Sequence, residues 1–174
     1  MIKSFLNIKY KDKGFTLVEI LVSLAIFSII LLTLVSSFLA MSNSILKTKA
    51  DMEVSENARR VLNEITYEIR SAKSVYTPTT TTNQLSLETS RYLPSGEDST
   101  FIDFFLCGTA VCLKKESQDS IALTSNSVQV TSLTFSQVST GGNPSVQVNL
   151  TVNYQDSNNP SSITLTSTAS LRGY

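Results

Sequence analysis

The stretch "KDKGFTLVEILVSLAIF", residues 11–27, joins a charged segment directly to an apolar one and places a single glutamate, Glu19, at the boundary. From Ile20 to Leu46 the chain has 27 residues without a charge, more than the roughly 20 that a helix needs to cross a bilayer. A carboxylate at the edge of a membrane span is costly unless it is matched, so it indicates a functional site with a partner. This stretch predicts a transmembrane helix and makes Glu19 a candidate functional residue.

The charges before the apolar segment predict its orientation. Four lysines precede Gly14, against one aspartate, and such an excess holds a short tail in the cytoplasm. The apolar run is too long for a signal peptide, whose apolar region spans about 7 to 15 residues. We therefore expect a single-pass protein of the cytoplasmic (inner) membrane with an extracytoplasmic head.

The composition argues against several classes of function. The sequence has no histidine, which removes the usual general base and the commonest metal ligand, and it has no Gly-rich phosphate loop. Two cysteines alone cannot complete a metal site. From Ser74 onward seven acidic residues face four basic ones, a poor match for a polyanion. We expect no enzymatic activity, no cofactor, no metal and no nucleic-acid partner.

The hexamer "GFTLVE", residues 14–19, resembles the prepilin peptidase site of type IV pilins and type II secretion pseudopilins. The resemblance implies that a prepilin peptidase cleaves between Gly14 and Phe15, removes the leader 1–14, and leaves an N-methylated Phe15. It also implies assembly through the N-terminal helix with other pilin or pseudopilin subunits, on an inner-membrane assembly platform and in contact with membrane lipid. The filament would then lie in the periplasm or on the cell surface.

Two roles are open for Glu19. The resemblance implies that its carboxylate pairs with the terminal amine of a neighbouring subunit during assembly, which would favour the correct register because unmatched buried charges are costly. Alternatively, Thr16 and Glu19 form a capping box at the start of the helix. The two roles are compatible with each other.

The helix is expected to continue well beyond the apolar segment. No proline or glycine occurs between Phe15 and Thr77, so one helix of about 60 residues is allowed. We assign 15–46 to a transmembrane and assembly helix and 47–76 to an amphipathic helix of the head. The apolar stripe of the second part has three- and four-residue spacing and comprises Val54, Ala58, Val61, Leu62, Ile65, Ile69, Ala72 and Tyr76.

Residues 77–174 have the period-two alternation of β-strands. The run "TPTTTTNQ" after Tyr76 ends the helix, and "STFIDFFLCGTAVCLKK" predicts a hairpin with its loop between Cys107 and Cys112. The apolar positions after Val130 are out of phase by one residue, which indicates a β-bulge. Alternating runs joined by turn residues predict an antiparallel β-meander packed on the helix stripe. The fold class is α+β, with a type IV pilin-like architecture.

Cys107 and Cys112 are expected to form a disulfide across this hairpin, because the head faces an oxidising compartment; free thiols are the alternative. A short loop gains little from closure, about 2 kcal/mol. The bond would hold a local surface.

Two later segments suggest a subtype. Residues 58–72 and the closing "TASLRGY" resemble the PilW-type minor subunits of type IV pili and the J-type pseudopilin of type II secretion, with a similar member in competence systems. The implied function is a minor subunit of the filament tip or initiation complex. The alternative is an unprocessed, signal-anchored surface protein with an adhesin-like, ligand-binding β head.

Overall fold

A computed structural model describes residues 14–93, 95–140 and 143–172; the leader predicted at residues 1–14 lies outside them except for Gly14. One long helix, α1, is followed by antiparallel strands, which confirms the predicted α+β fold class. The helix spans Leu17–Ser71. The strands are β1 Ser74–Val75, β2 Gln84–Thr89, β3 Thr100–Cys107, β4 Ala110–Lys115, β5 Ile121–Ala122, β6 Val128–Thr140, β7 Asn143–Tyr154 and β8 Ser162–Ser170.

The chain divides into two compact units, Met1–Ser44 and Ile45–Tyr174. In the described part of the first unit every residue is exposed. Its helical segment contains an 18-residue window with a mean hydropathy of 2.7, none of it buried. By length and composition this is a helix that can cross a membrane.

In the second unit, the helix contributes its apolar stripe to one hydrophobic core. All the predicted stripe residues from Val54 to Ala72 are buried, and they pack in the same cluster as side chains from both sheets. The fully buried side chains opposite them include Leu85, Leu87 and Phe104. The amphipathic pattern therefore identified the packing face of the helix.

The end of the helix differs from the prediction. The sequence predicted helix through Tyr76, whereas α1 ends at Ser71 and the chain enters β1. The Lys73 N–H donates to the carbonyl of Glu88 at 2.8 Å, and the Tyr76 N–H donates to the carbonyl of Ser86 at 2.9 Å. These bonds to β2 replace the hydrogen bonds that another helical turn would have made.

The predicted meander is present but is divided into two sheets. One sheet has the order β1-β2-β3-β4-β5 and the other β6-β7-β8, with antiparallel pairing throughout. The division falls after the two-residue strand β5. There the Leu123 N–H still donates to the carbonyl of Val111 in β4 at 2.8 Å, while the Leu123 carbonyl accepts a hydrogen bond from the Arg60 guanidinium of α1 at 2.6 Å.

Two local predictions for the strands are confirmed. The register between β6 and β7 shifts between Val130 and Ser132, which is the expected bulge. The hairpin of β3 and β4 turns at Gly108 and Thr109, and Gly108 has the positive φ of 65° that glycine adopts without strain. Gly141 and Gly142, between β6 and β7, lie outside the described residues.

Candidate functional site

The predicted processing site lies immediately before the helix. Gly14 and Phe15 are exposed, and 76% of the Phe15 surface is accessible. A Cβ atom added at Gly14 would meet nothing within 4 Å. Gly14 also has no positive φ. The described chain therefore leaves room for a Cβ atom at this position.

Thr16 is the N-cap of α1. Its Oγ1 accepts a hydrogen bond from the backbone N–H of Glu19 at 3.3 Å, and its carbonyl accepts the first helical bond, from Ile20, at 3.3 Å. This is the half of a capping box that the threonine supplies. Glu19 lies in the first turn, where a negative charge is favoured by the helix dipole.

The carboxylate of Glu19 has no partner among the described residues. It is exposed, and neither the hydrogen bonds nor the salt bridges of the described ranges include its side-chain oxygens. The second half of the capping box, in which the Thr16 N–H would donate to the Glu19 carboxylate, is accordingly not formed. The cap therefore uses only the Glu19 backbone and leaves the carboxylate available to another group.

The surface of the chain from Phe15 to Leu46 is largely apolar, although the sequence there includes serine and threonine. The large apolar side chains between Phe15 and Leu46 are at least 44% exposed. Four of the interspersed hydroxyl groups donate to carbonyls of their own helix, three or four residues earlier, as in Ser23 to Ile20 at 2.9 Å and Ser28 to Leu24 at 2.8 Å. Thr33 and Ser36 do the same. Internal satisfaction of polar groups is what a lipid environment demands.

Asn57 is a buried polar residue that the sequence reasoning missed. Only 5% of its surface is exposed, and its Oδ1 accepts hydrogen bonds from the Ser125 N–H at 2.9 Å and from Arg60 at 3.2 Å. Its Nδ2 donates to the carbonyl of Glu53 at 2.9 Å. The signal was its position three residues after Val54, on the buried stripe, where an amide needs partners.

Glu68 is a second buried polar residue that the sequence reasoning missed. It is 1% exposed and lies next to Ile69 of the stripe. Its carboxylate contacts the guanidinium of Arg91 at 3.5 Å and accepts a hydrogen bond from the Tyr92 hydroxyl at 3.4 Å. Burial raises the pKa of the Glu68 carboxyl, against the opposing effect of Arg91.

The two cysteines lie at the tip of the β3–β4 hairpin. Cys107 and Cys112 are joined by a disulfide, with their Cα atoms 5.8 Å apart. Between them, the carbonyl of Thr109 accepts a hydrogen bond from the Val130 N–H at 2.8 Å. The hairpin tip thus connects the first sheet to β6 of the second.

Residues 9–35 match a protein-family model described as the prokaryotic N-terminal methylation motif. The comparison with curated proteins found no match, and neither did the comparison with solved structures. The match includes Gly14, Phe15 and Glu19 and ends within the exposed apolar helix. Together, the motif and the apolar helix that follows it support a membrane-anchored chain with an N-terminal methylation motif.

Proposed function

We propose that this chain is a minor pilin or pseudopilin, a structural subunit of a type IV pilus, a type II secretion filament or a competence-type filament. The observation that carries the proposal is the methylation motif at residues 9–35, placed directly before an exposed apolar helix. In this proposal the prepilin peptidase cuts between Gly14 and Phe15 on the cytoplasmic side, and Phe15 becomes the N-methylated terminus.

The surroundings of Gly14 support recognition by a peptidase. Gly14 is exposed, and the described chain leaves open space where a side chain would lie. A glycine that its own fold does not need is well suited to an enzyme that must bring the backbone close to its catalytic groups. Phe15 is equally accessible on the other side of the bond to be cut.

The unpartnered carboxylate of Glu19 supports a role in assembly. After cleavage, the new terminal amine at Phe15 of a neighbouring subunit would lie close to the Glu19 carboxylate, on the apolar surface of the helix. Pairing a carboxylate with an ammonium in such a surface favours one register, because an unmatched charge there is costly. The partners are therefore other subunits, with the assembly platform and membrane lipid surrounding the same helix.

Placement among the minor subunits, at the tip or in the initiation complex, is the finer part of the proposal. It rests on the resemblance of residues 58–72 and of the closing "TASLRGY", and on the absence of proline from Phe15 to Lys47, where major pilins commonly have one. The role is structural rather than catalytic. The competing function is an unprocessed, signal-anchored surface protein with a ligand-binding head.

Intact-mass measurement of the membrane-extracted chain tests the proposal. We expect the mass to lack residues 1–14 and to include one added methyl group at Phe15. Gly14→Leu should remain a full-length precursor, whereas Gly14→Ala, the matched control, should be processed in part. The Cβ atom that both substitutions add meets nothing within 4 Å at residue 14, so we attribute a difference between them to the peptidase.

Two results would contradict the proposal. A wild-type chain that retains residues 1–14 would favour the unprocessed, signal-anchored protein. Normal processing of Gly14→Leu would mean that cleavage, where it occurs, does not depend on the motif.

A further inference from the structure

Glu68 has an unusual position for an ionisable group, because it belongs to the hydrophobic face of α1. It is 1% exposed and is followed by the fully buried Ile69. A buried carboxylate is stable in its charged form only when cations and hydrogen bonds compensate for the lost water. Its contacts therefore decide in which protonation state this part of the head is best packed.

Those contacts compensate the charge only in part. The ion pair with Arg91 measures 3.5 Å and the hydrogen bond from Tyr92 3.4 Å, both long for charge-assisted bonds, which lie near 2.7–2.9 Å. Both partners belong to the segment that follows β2. Four titratable or charged groups act on the carboxylate: Glu64 from α1, Arg91 and Tyr92 from the segment after β2, and Lys115 from β4. Tyr67 of α1 contacts Arg91.

Glu64 adds a like charge to this environment. The nearest cation, Arg91, directs its guanidinium also to the Tyr67 hydroxyl at 3.0 Å and lies over the Tyr67 ring, 4.8 Å from its centroid. Lys115 lies 3.7 Å from the ring centroid of Tyr92. Both cations therefore have aromatic partners, and these contacts do not require a charged Glu68.

The segment held by these contacts is under local backbone strain. Tyr92 has a φ of 62°, a conformation that is rare for a large side chain and persists only when its surroundings impose it. The Arg91 N–H is fixed to the Thr89 hydroxyl at 3.1 Å. Tyr92 reaches Glu68 from this position, so the bond between them is part of what holds the strained residue.

We propose that Glu68, Arg91 and Tyr92 form a proton-operated latch, in which proton uptake by Glu68 tightens the attachment of residues 91–93 to α1. The neutral carboxyl no longer bears the cost of a buried charge and still bonds to the Tyr92 hydroxyl, so the closed arrangement gains when the proton binds. At neutral pH the charged form makes opening easier. The latch therefore closes at mildly acidic pH and loosens as the pH rises toward neutral.

The direction follows from linkage. A carboxyl whose pKa is raised in the closed state, as burial raises that of Glu68 above 4.5, binds its proton more tightly there than when it is exposed to water. Acidification from neutral pH toward 4.5 therefore favours closure. If the ion pair with Arg91 determined the pKa of Glu68 instead, that pKa would be lowered and acidification would favour opening. The inference depends on contacts within the head and not on the proposed role in a filament.

Amide hydrogen exchange of the full chain in detergent micelles, from about pH 8 to about pH 5, tests the latch. After correction for the intrinsic exchange rate, protection of the Arg91, Tyr92 and Leu93 amides should rise on acidification. The rise should approach about tenfold for each unit by which closure raises the pKa only as the pH falls below 4.5, so at about pH 5 it should be smaller than that limit. Glu68→Gln, which mimics the neutral acid, should be protected at about pH 8 and lose the pH dependence.

Two variants complete the test. Glu64→Gln, the matched control, removes a neighbouring carboxylate and should keep the response with a lower midpoint. Arg91→Gln removes the counter-charge and should move the midpoint upward, which also decides the question if Glu68→Gln does not fold. Three results would overturn the latch. Protection could fall on acidification, or it could stay the same at every pH. At neutral pH, it could also be no higher in Glu68→Gln than in the wild type.

Discussion

At the scale of single residues, Thr16 and Glu19 at the start of the helix have separate roles in helix capping and in the proposed pairing with another group. Thr16 caps α1 through its own hydroxyl, and Glu19 contributes only its backbone N–H to that cap. The Glu19 carboxylate has no partner in the described chain. The helix therefore does not need this carboxylate to begin, although the dipole favours a negative charge there.

This separation allows the cap and the assembly role to be removed one at a time. Thr16→Val should cost about 1 kcal/mol of helix stability, as other lost N-caps do, while filament assembly persists. Glu19→Ala should keep membrane insertion, cleavage after Gly14 and the folded head, yet fail to enter filaments. Pulled-down partner subunits and surface filaments, compared at equal amounts of processed protein, measure the difference.

A reversed pattern would refute the assembly role. If Glu19→Ala assembles as well as the wild type while Thr16→Val does not, the helix cap is the essential feature of this motif.

Asn57 carries a prediction for the stability of the head. Asn57→Ala leaves the part-buried N–H of Ser125 without its acceptor, and an unsatisfied group costs up to about 1 to 3 kcal/mol where it is fully buried. The matched control is Asn63→Ala on an exposed position of the same helix. Urea unfolding of the detergent-solubilised chain should show a lower midpoint for Asn57→Ala and little change for Asn63→Ala. Equal midpoints would mean that water replaces the amide.

At the scale of elements, the hydrophobic pattern was informative wherever one repeat dominates. The stripe from Val54 to Ala72, the β3–β4 hairpin and the β6 bulge follow from period and phase alone. The end of the helix could not be predicted from period and phase, because Ser74 and Val75 pair with a strand that lies later in the chain. Buried Asn57 and Glu68 were missed for the same reason: their partners, Ser125 and Arg91, are distant in sequence.

The bulge predicts different outcomes for two deletions in β6. Thr131 lies between the paired residues Val130 and Ser132, so its deletion gives a regular strand with Leu133 and Phe135 still facing the core. We expect a loss of about 0.5 to 1.5 kcal/mol, mainly from the Val130 hydrogen bond to Thr109.

The matched control is deletion of Thr134, which pairs within the regular part of the strand. It turns Phe135 and the residues after it to the other face, because side chains alternate along a strand. Urea unfolding should detect a nearly native chain for the first deletion and an unfolded or strongly destabilised one for the second. Similar losses for both would show that the bulge itself is essential to the sheet.

At the scale of the whole molecule, the two units differ in where their apolar side chains lie. In the described part of the first unit these side chains are exposed, so the unit needs lipid or other helices to cover them. In the second unit the apolar stripe of α1 is covered by strands of both sheets. This division predicts which part of the chain requires a membrane or a filament and which part does not.

The final prediction follows from that division. A chain that begins at Thr48 retains every buried residue of α1, the first of which is Ala50, and lacks all exposed apolar residues from Phe15 to Leu46. We expect it to be a soluble monomer by size-exclusion chromatography with light scattering. The matched control begins at Leu32 and keeps Leu34, Val35 and Phe38, each more than half exposed, so it should aggregate without detergent. If the shorter chain also associates, the head has an interaction surface of its own, and the exposed rings of Tyr67 and Tyr92 beside the latch are the first to substitute.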